Sequence, residues 1–148
     1  DEDIEIEADA VRVRQLLHNL IRNAQEALEG QAGAHIEIAV GFAPGTDRAL
    51  AEISVTDNGP GIVAEFLPRL FEPYVTNKTK GTGLGLAIVR KLVEEHGGTV
   101  SAENITPHGA RLVVRLPVRA RSTELTAENR SLWSDEKTGR ATPTRSEA

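Results

Sequence analysis

The chain has 148 residues, of which 39% are hydrophobic, so it is long enough for one domain with a buried core. Its formal net charge of -5 argues against nucleic acid as a partner, and the absence of Cys excludes disulfides, thiolate metal sites and a cysteine nucleophile. The absence of Cys suits the reducing cytoplasm, where we expect this segment. No apolar run approaches the ~18 residues needed to span a bilayer, so we expect a segment that is not embedded in a membrane. The chain begins with Asp1 and contains no Met, which predicts a piece of a larger protein, and whether that parent is anchored in a membrane stays open.

The N-terminal part predicts a short strand and an amphipathic helix. Ile4 and Ile6 alternate with acidic residues, as in a half-buried strand. Asp9 suits the position before a helix, where its carboxylate can accept hydrogen bonds from main-chain N–H groups. Apolar residues then recur at spacings of three and four until Gly30, which predicts a helix packed on a core. The inward positions are Val13, Leu16, Leu17, Leu20, Ala24, Ala27 and Leu28.

A strand hairpin and a long loop are predicted next. Residues 35–40 alternate as a strand and residues 50–56 form another, with turn residues between them, which indicates an antiparallel hairpin. Residues 57–82 are rich in Gly and Pro, which predicts a long, partly mobile loop with one or two helical turns at residues 63–66 and 68–71. Loops of that length inside a compact domain usually have a function.

The C-terminal part predicts one more helix, a second hairpin and a tail. Apolar spacing indicates a helix over residues 84–96, ended by two Gly residues, and then strands over residues 99–104 and 111–118. Residues 119–148 have only Leu125, Leu132 and Trp133 as large apolar side chains, so we expect a disordered tail. The predicted domain therefore spans residues 1–118.

Asn19 and Asn23 form the first candidate binding pair. They are four residues apart, so on a helix their side chains lie on one face, one turn apart. Two amide oxygens can then point at one hard cation such as Mg²⁺, which takes oxygen ligands and completes its shell with water and phosphates. The alternative is two solvated Asn side chains on the helix surface, which the pair taken alone favours.

Asp57 and the glycines behind it form the second candidate. A buried carboxylate after a core strand can accept a hydrogen bond from an exocyclic amine such as adenine N6. Gly59 and Gly61 have no β-carbon, so the main chain there can approach a flat base closely. The alternative is an ordinary turn, in which Asp, Asn and Gly are common.

Gly81, Gly83 and Gly85 form the third candidate, directly before the second predicted helix. The N–H groups at a helix N-terminus attract anions, and Lys78 and Lys80 just ahead can reach phosphate oxygens. The Gly-x-Gly-x-Gly spacing matches neither the dinucleotide fingerprint nor the Walker A loop. The alternative is a flexible, solvated loop.

With these segments in order, the chain resembles the ATP-binding catalytic domain of two-component sensor histidine kinases, in the superfamily that also holds gyrase B, Hsp90 and MutL. The resemblance covers roughly residues 9–117, with four boxes in the family's order. Residues 14–24 resemble the N box, 57–62 the G1 box, 70–74 the F box and 81–89 the G2 box. The stretches Phe-Glu-Pro-Tyr-Val-Thr-Asn-Lys at 71–78 and Asn-Ala-Gln-Glu-Ala at 23–27 are most similar to the nitrogen-regulation sensor kinases.

The resemblance implies an α+β sandwich of the Bergerat type, with a mixed, mainly antiparallel sheet of about five strands, helices on one face and a long ATP lid. It implies ATP and Mg²⁺ as cofactors, with Mg²⁺ held by the two Asn residues, adenine bound through the Asp and phosphates bound by the glycine segment. The implied ATP-site residues are Asn19, Asn23, Asp57, Gly59, Gly61, Ile62, Tyr74, Lys78, Lys80, Gly81, Thr82, Gly83, Leu84, Gly85 and Leu86. None is assigned as catalytic.

The residue at position 19 distinguishes hydrolysis of ATP from transfer of its phosphoryl group to a histidine. The hydrolases of this superfamily have a Glu there as the base that activates water, and the amide of Asn19 cannot take up that proton. The resemblance therefore implies a protein histidine kinase that donates the γ-phosphoryl group of ATP to a histidine on a dimerisation and phosphoacceptor domain of the same protein, with a response regulator downstream. No His of this chain lies in a helical His-Glu or His-Asp setting, so we expect the acceptor elsewhere.

The chain departs from the family pattern at two positions, and two other functions stay open. Glu26 stands where many relatives have a basic residue, for which Lys78, Lys80 or Arg22 can compensate, and Ala110 stands where a Thr commonly supports the adenine-binding Asp. The alternatives to the kinase are an ATPase of the gyrase or Hsp90 type and a non-catalytic ATP-sensing module.

Overall fold

The structure, a computed structural model, describes residues 3–75 and 83–119, and six helices and strands lie within them. The helices are α1 (Ala10–Ala27) and α2 (Gly85–Glu95), and the strands are β1 (Ile36–Phe42), β2 (Leu50–Asp57), β3 (Thr99–Asn104) and β4 (Ala110–Pro117). One 3-10 turn, Leu67–Arg69, lies in the loop after β2, where helical turns were predicted. The order of helices and hairpin strands is as predicted, with boundaries shifted by one or two residues.

The four strands form one sheet in the order β1-β2-β4-β3, and each neighbouring pair is antiparallel. The predicted α+β fold, with helices on one face of a mainly antiparallel sheet, is confirmed. The described residues form four strands, where about five were predicted. Ile6, in the segment predicted as the first strand, forms only an isolated bridge with Val118. Val118 donates its N–H to the carbonyl oxygen of Ala49 and Pro117 has no N–H, so the end of β4 offers few donors to a further strand.

Both helices pack on one face of this sheet and enclose the core. Asp9 caps α1 as predicted, because its carboxylate accepts hydrogen bonds from the N–H groups of Val11 and Arg12. Side chains at alternate positions of β2 and β4 meet the inward faces of the helices, as the apolar spacing predicted. The buried core cluster consists of Leu16, Leu20, Ala24, Val55, Val89, Leu92, Val93, Ala110, Leu112, Val114 and Leu116.

The opposite face of the sheet is polar. Glu52 on β2 accepts hydrogen bonds from Arg111 and Arg115 on β4, each over 3.0 Å. In residues 3–75 and 83–119, both helices lie on the other face, so any site that combines a helix with a strand end belongs to the helical side. Neither helix is long and apolar enough to cross a membrane.

The compact unit that contains these elements spans Asp1–Val118. The predicted disordered tail falls almost entirely on residues 120–148, which lie outside the described residues, so the tail stays a prediction. Residues 76–82 of the predicted loop lie outside them as well.

Candidate functional site

Asn19 and Asn23 lie on α1 next to its buried stripe. Both residues are half-buried. Asn19 directly precedes the buried Leu20 and Asn23 directly precedes the buried Ala24, so both amides lie at the border between core and surface. The Nδ2 atom of Asn19 is buried and has no hydrogen-bond partner among the described residues. A buried polar atom without a partner is costly, and it is expected where a ligand supplies the missing partner.

The N-terminus of α2 lies beside Asn19. A β-carbon built on Gly85, the first residue of α2, would lie 4.0 Å from the Oδ1 atom of Asn19. Leu84 precedes the helix, and its side chain provides no cap, so the first-turn N–H groups are not covered by a capping side chain. The N-terminus of α2 and the side-chain amide of Asn19 are therefore neighbours. The N–H groups of both can donate hydrogen bonds to anionic oxygens.

Asp57 ends β2 and is 2% exposed. It faces the helical side of the sheet, because it alternates with the core residue Val55. Its Oδ1 atom accepts the N–H of Gly59 over 2.9 Å, and no hydrogen bond to its Oδ2 atom is found among the described residues. A carboxylate buried at this depth is stable only when it is well paired. The sequence-based expectation that Asp57 is buried agrees with the structure.

Gly59 and Gly61 are required by contacts within the protein itself. A β-carbon on Gly59 would lie 2.9 Å from Asp57 Oδ1 and 3.3 Å from the carbonyl oxygen of Ala27 at the end of α1. A β-carbon on Gly61, whose φ is +83°, would lie 2.9 Å from the Oδ1 atom of Asn104. The sequence suggested that these glycines admit a ligand, and the structure shows that they also admit the protein's own main chain.

Asn58 fastens the same loop to the connection between α1 and β1. Its Oδ1 atom accepts the N–H of His35 over 2.7 Å, and its Nδ2 atom donates to the carbonyl oxygen of Gly33 over 2.9 Å. Gln31 donates to the carbonyl oxygen of Asn58 over 2.9 Å. Sequence reasoning did not find this role, because the partners lie more than twenty residues away and follow no periodic pattern.

Tyr74 and Gly83 hold together the two ends of the glycine-rich loop. The N–H of Tyr74 donates to the carbonyl oxygen of Gly83 over 2.9 Å. A β-carbon on Gly83, whose φ is +70°, would lie 2.7 Å from both Cα and C of Tyr74. We call this contact the loop neck. The Tyr74 side chain is 76% exposed.

The other predicted site residues lie against the core or outside the described residues. Ile62 packs on the core, as does Leu86 of α2, and Leu84 is half-buried beside it. The predicted phosphate-binding residues Lys78, Lys80, Gly81 and Thr82 lie outside the described residues. The structure thus describes the metal-binding and base-binding candidates and only the edges of the predicted phosphate segment.

Both residues that depart from the family pattern lie in the described part of the chain. Glu26 pairs with Arg22 over 3.1 Å on the surface of α1. Arg22 was one of three candidates to replace a basic residue near phosphate, and in this structure it meets Glu26 instead. Ala110 on β4 pairs with Asp57 in the sheet register and is buried. Its side chain is a methyl group, so it offers the carboxylate no hydroxyl.

The candidate residues lie along α1. Asn19 meets Gly85 near the middle of the helix, and Ala27 meets Gly59 near its end. These positions are eight residues apart, which is about 12 Å at the α-helical rise of ~1.5 Å per residue. Asn23 lies between them on the same side. The described groups therefore form an elongated site with a carboxylate at one end and a helix N-terminus at the other.

Comparisons with known proteins identify the family of this chain. The sequence profile of the histidine kinase-, DNA gyrase B- and HSP90-like ATPases matches residues 8–120. The sensor histidine kinase ZraS of Escherichia coli O157:H7 is 45% identical over 114 residues, which are 77% of this chain and 24% of that protein. The sensory histidine kinase/phosphatase NtrB of Rhizobium meliloti is 40% identical over 100 residues, which are 61% of this chain and 26% of that protein.

Solved structures show the same fold. The nucleotide-free catalytic domain of the histidine kinase ThkA has a TM-score of 0.67 at 38% identity, over 79% of this chain and 74% of that one. Full-length ShkA in complex with AMPPNP has a TM-score of 0.59 at 31% identity, over 74% of this chain and 22% of that one.

The chain belongs to the family of histidine kinase-, DNA gyrase B- and HSP90-like ATPases, and within it to the ATP-binding catalytic domains of sensor histidine kinases. The resemblance inferred from the four boxes is thereby confirmed, and kinases of the nitrogen-regulation type are among the relatives. The chain spans about a quarter of the length of the curated relatives it matches.

Proposed function

We propose that this domain binds Mg-ATP and donates the γ-phosphoryl group to a histidine on a dimerisation and phosphoacceptor domain of the same protein. A response regulator would then receive the phosphoryl group. The observation that carries the proposal is the buried amide of Asn19, which lies beside the N-terminus of α2 and whose Nδ2 atom has no partner in the part of the chain that the structure describes. This amide and the helix N-terminus together suit anionic oxygens, and neither can act as a base.

The orientation of ATP follows from the two ends of the site along α1. Asp57 is the acceptor for the exocyclic amine of adenine, with Gly59 and Gly61 under the base. The N-terminal turn of α2 at Gly85 binds phosphate oxygens, together with the loop residues from Lys78 to Leu84. The proposed direction of the nucleotide is supported by the carboxylate at one end, which would repel phosphates, and by the helix dipole at the other.

The donor set also fits Mg²⁺. Asn19 and Asn23 present neutral amides, and rotation of an amide by 180° exchanges its oxygen and nitrogen, so each can turn an oxygen toward a cation. Mg²⁺ would supply neutralisation of the charge on the phosphate oxygens. Among the described residues no group of three His, Cys, Asp or Glu side chains is placed to hold a metal, which favours a site completed by phosphates and water.

The chemistry left to this chain is positioning and charge neutralisation. An imidazole nitrogen of the acceptor histidine attacks the γ-phosphorus, the bond from that phosphorus to the β,γ-bridging oxygen breaks, and ADP leaves with the electron pair. The amide of Asn19 cannot activate water, so hydrolysis in the pocket is slow and the phosphoryl group is kept for the histidine. ATP and a response regulator are both met in the cytoplasm, where we place the domain whether or not the parent is anchored in a membrane.

A transfer assay with separate domains tests the proposal. Mixing the chain with γ-labelled Mg-ATP and the phosphoacceptor domain of its parent should produce a labelled acceptor whose phosphate is acid-labile and alkali-stable, as expected of phosphohistidine. The chain alone should release little ADP. Asn19→Ala should strongly reduce transfer, and Gln25→Ala, an amide truncation on the exposed side of the same helix, should not.

Two results would refute the proposed reaction. The first is rapid ADP release by the chain alone, which would place it with the hydrolases of its family. The second is an unlabelled acceptor under conditions in which the chain is saturated with ATP, which would favour a module that only senses nucleotide.

A further inference from the structure

The hairpin that joins β3 and β4 holds the main chain of the loop that follows Asp57. Asn104, the last residue of β3, accepts the N–H of Ile62 at its Oδ1 atom over 2.7 Å. Its Nδ2 atom donates to the carbonyl oxygen of the same residue over 2.8 Å. One amide side chain therefore satisfies both main-chain groups of Ile62, forty-two residues earlier in the chain.

His108 provides a second contact from the same hairpin. Its Nδ1 atom lies 3.1 Å from the carbonyl oxygen of Gly59. A carbonyl oxygen can only accept, so the proton of this hydrogen bond must be on Nδ1. Asn104 and His108 thus hold the loop at two points, one at each side of Gly61.

The main chains of loop and hairpin also approach each other without side chains between them. Gly109, at φ +127°, lies so close to the carbonyl oxygen of Asp57 that a β-carbon would collide with it. A β-carbon on Gly61 would lie 3.2 Å from the carbonyl oxygen of Gly109. The loop is thus packed directly on the hairpin, and its position relative to the Asp57 carboxylate is set by these contacts.

We propose that Asn104 and His108 are positioning residues for nucleobase recognition. They fix Gly59 and Ile62 before ligand binds, so that the Asp57 carboxylate and the strip of main chain under the base keep one relative geometry. Without them the loop samples more conformations before the base binds. The free-energy cost of ordering the loop then makes binding of the base weaker. The proposal rests on the proposed function, since it assigns the base to the Asp57 end of the site.

A structural role alone would have a different signature. Asn104 and His108 are exposed residues at the sheet end. Neither belongs to the buried core cluster, and Ile62, which Asn104 holds, packs only at its edge, so their loss should leave the buried cluster intact. The phosphate-binding end lies about 12 Å away along α1 and is held by other residues. Loss of either contact should therefore weaken binding through the base and leave binding through the phosphates unchanged.

The test compares two ligands that share phosphates and differ in the base. Asn104→Ala should bind Mg-ATP roughly tenfold more weakly than the wild type, because two hydrogen bonds of modest strength order the loop, while affinity for Mg-tripolyphosphate stays the same. Hydrogen exchange at the Ile62 amide, measured without nucleotide, should speed up in this variant. Gln25→Ala is the matched control, since it removes an exposed amide from α1.

His108 gives an independent arm with a rescue. His108→Ala should weaken ATP binding in the same selective way, and His108→Asn should restore it, because the Nδ2 atom of Asn can donate where the Nδ1 atom of His does. This arm remains informative if Asn104→Ala folds poorly.

Each outcome decides the proposal. A selective loss for ATP with rescue by His108→Asn supports it. Unchanged ATP affinity in both alanine variants, or equal losses for ATP and tripolyphosphate together with a lower melting temperature, overturns it while the proposed function stands. If the wild-type chain binds Mg-ATP no more tightly than Mg-tripolyphosphate, the adenosine part contributes nothing to affinity. The base site assigned in the proposed function would then be wrong.

Discussion

Replacement of Asp57 by Asn tests base recognition with little disturbance of the fold. In the wild type, Oδ1 accepts the N–H of Gly59 over 2.9 Å, and the whole residue is 2% exposed. An Asn side chain has nearly the same shape and can keep that hydrogen bond with its own Oδ1 atom. The substitution changes the other terminal atom of the side chain, because the charged acceptor Oδ2 becomes the N–H donor Nδ2. The melting temperature should therefore stay close to that of the wild type.

The expected loss of ATP affinity follows from that exchange. The N6 amine of adenine is a donor, and it would face another donor in place of a buried carboxylate. Loss of a hydrogen bond to a charged group costs about 1.5–3 kcal/mol, which corresponds to a roughly 10- to 150-fold weaker affinity. The O6 atom of guanine is an acceptor and can accept from the new N–H group, so GTP should lose less and the preference for adenine should shrink.

Calorimetric titration with Mg-ATP and Mg-GTP measures both effects. Glu103→Gln is the matched control, because it makes the same change of charge on an exposed residue of β3, where Glu103 pairs with Arg111 over 3.1 Å. If Asp57→Asn and Glu103→Gln bind ATP as tightly as the wild type, the carboxylate does not contact the base and the proposed orientation of the nucleotide is wrong.

Two further predictions concern the loop neck and the core. Gly83→Ala places a β-carbon 2.7 Å from the main chain of Tyr74 at a φ of +70°, so the neck should open and ATP should bind more weakly in calorimetry. Gly41→Ala, where no atom lies within 4 Å of the new β-carbon, should bind as the wild type does, and equal affinities for both variants would contradict a role for the neck. Leu20→Ala should lower the free energy of unfolding in urea by about 2–5 kcal/mol, because the side chain is 1% exposed in the core. Val11→Ala on the same helix should change it little, since Val11 is 71% exposed, and similar effects of both would be inconsistent with the core assignment.

Local patterns were sufficient to predict the helices and hairpins of this domain. The spacing of Leu16, Leu20 and Ala24 reflects the helical period, and each of these residues is buried in the structure. The cap at Asp9 depends on groups within three residues of it, so the sequence alone indicated it. Strand β1 extends to Phe42, beyond the predicted end, because pairing with Ala51 continues past the alternating pattern.

Contacts between distant segments could not be predicted in the same way. Asn104 and His108 contact residues forty-two and forty-nine positions earlier, and neither stands in an apolar pattern. The segment around Ile6 has the alternation of a strand, yet it forms a single bridge because the end of β4 offers few donors. The roles assigned to Asn19 and Asp57 came from box order and residue chemistry, and their ligand contacts stay predictions.

The loop neck has a consequence for how this family can vary. Tyr74 and Gly83 meet through main-chain atoms, so the ends of the intervening segment stay joined whatever side chains lie between them. The entropy of closing a loop grows slowly with its length, by about 0.6 kcal/mol for each doubling. We therefore expect a change in the length of the segment between Tyr74 and Gly83 to cost the sheet and α2 little stability, even where it weakens the proposed binding of phosphates.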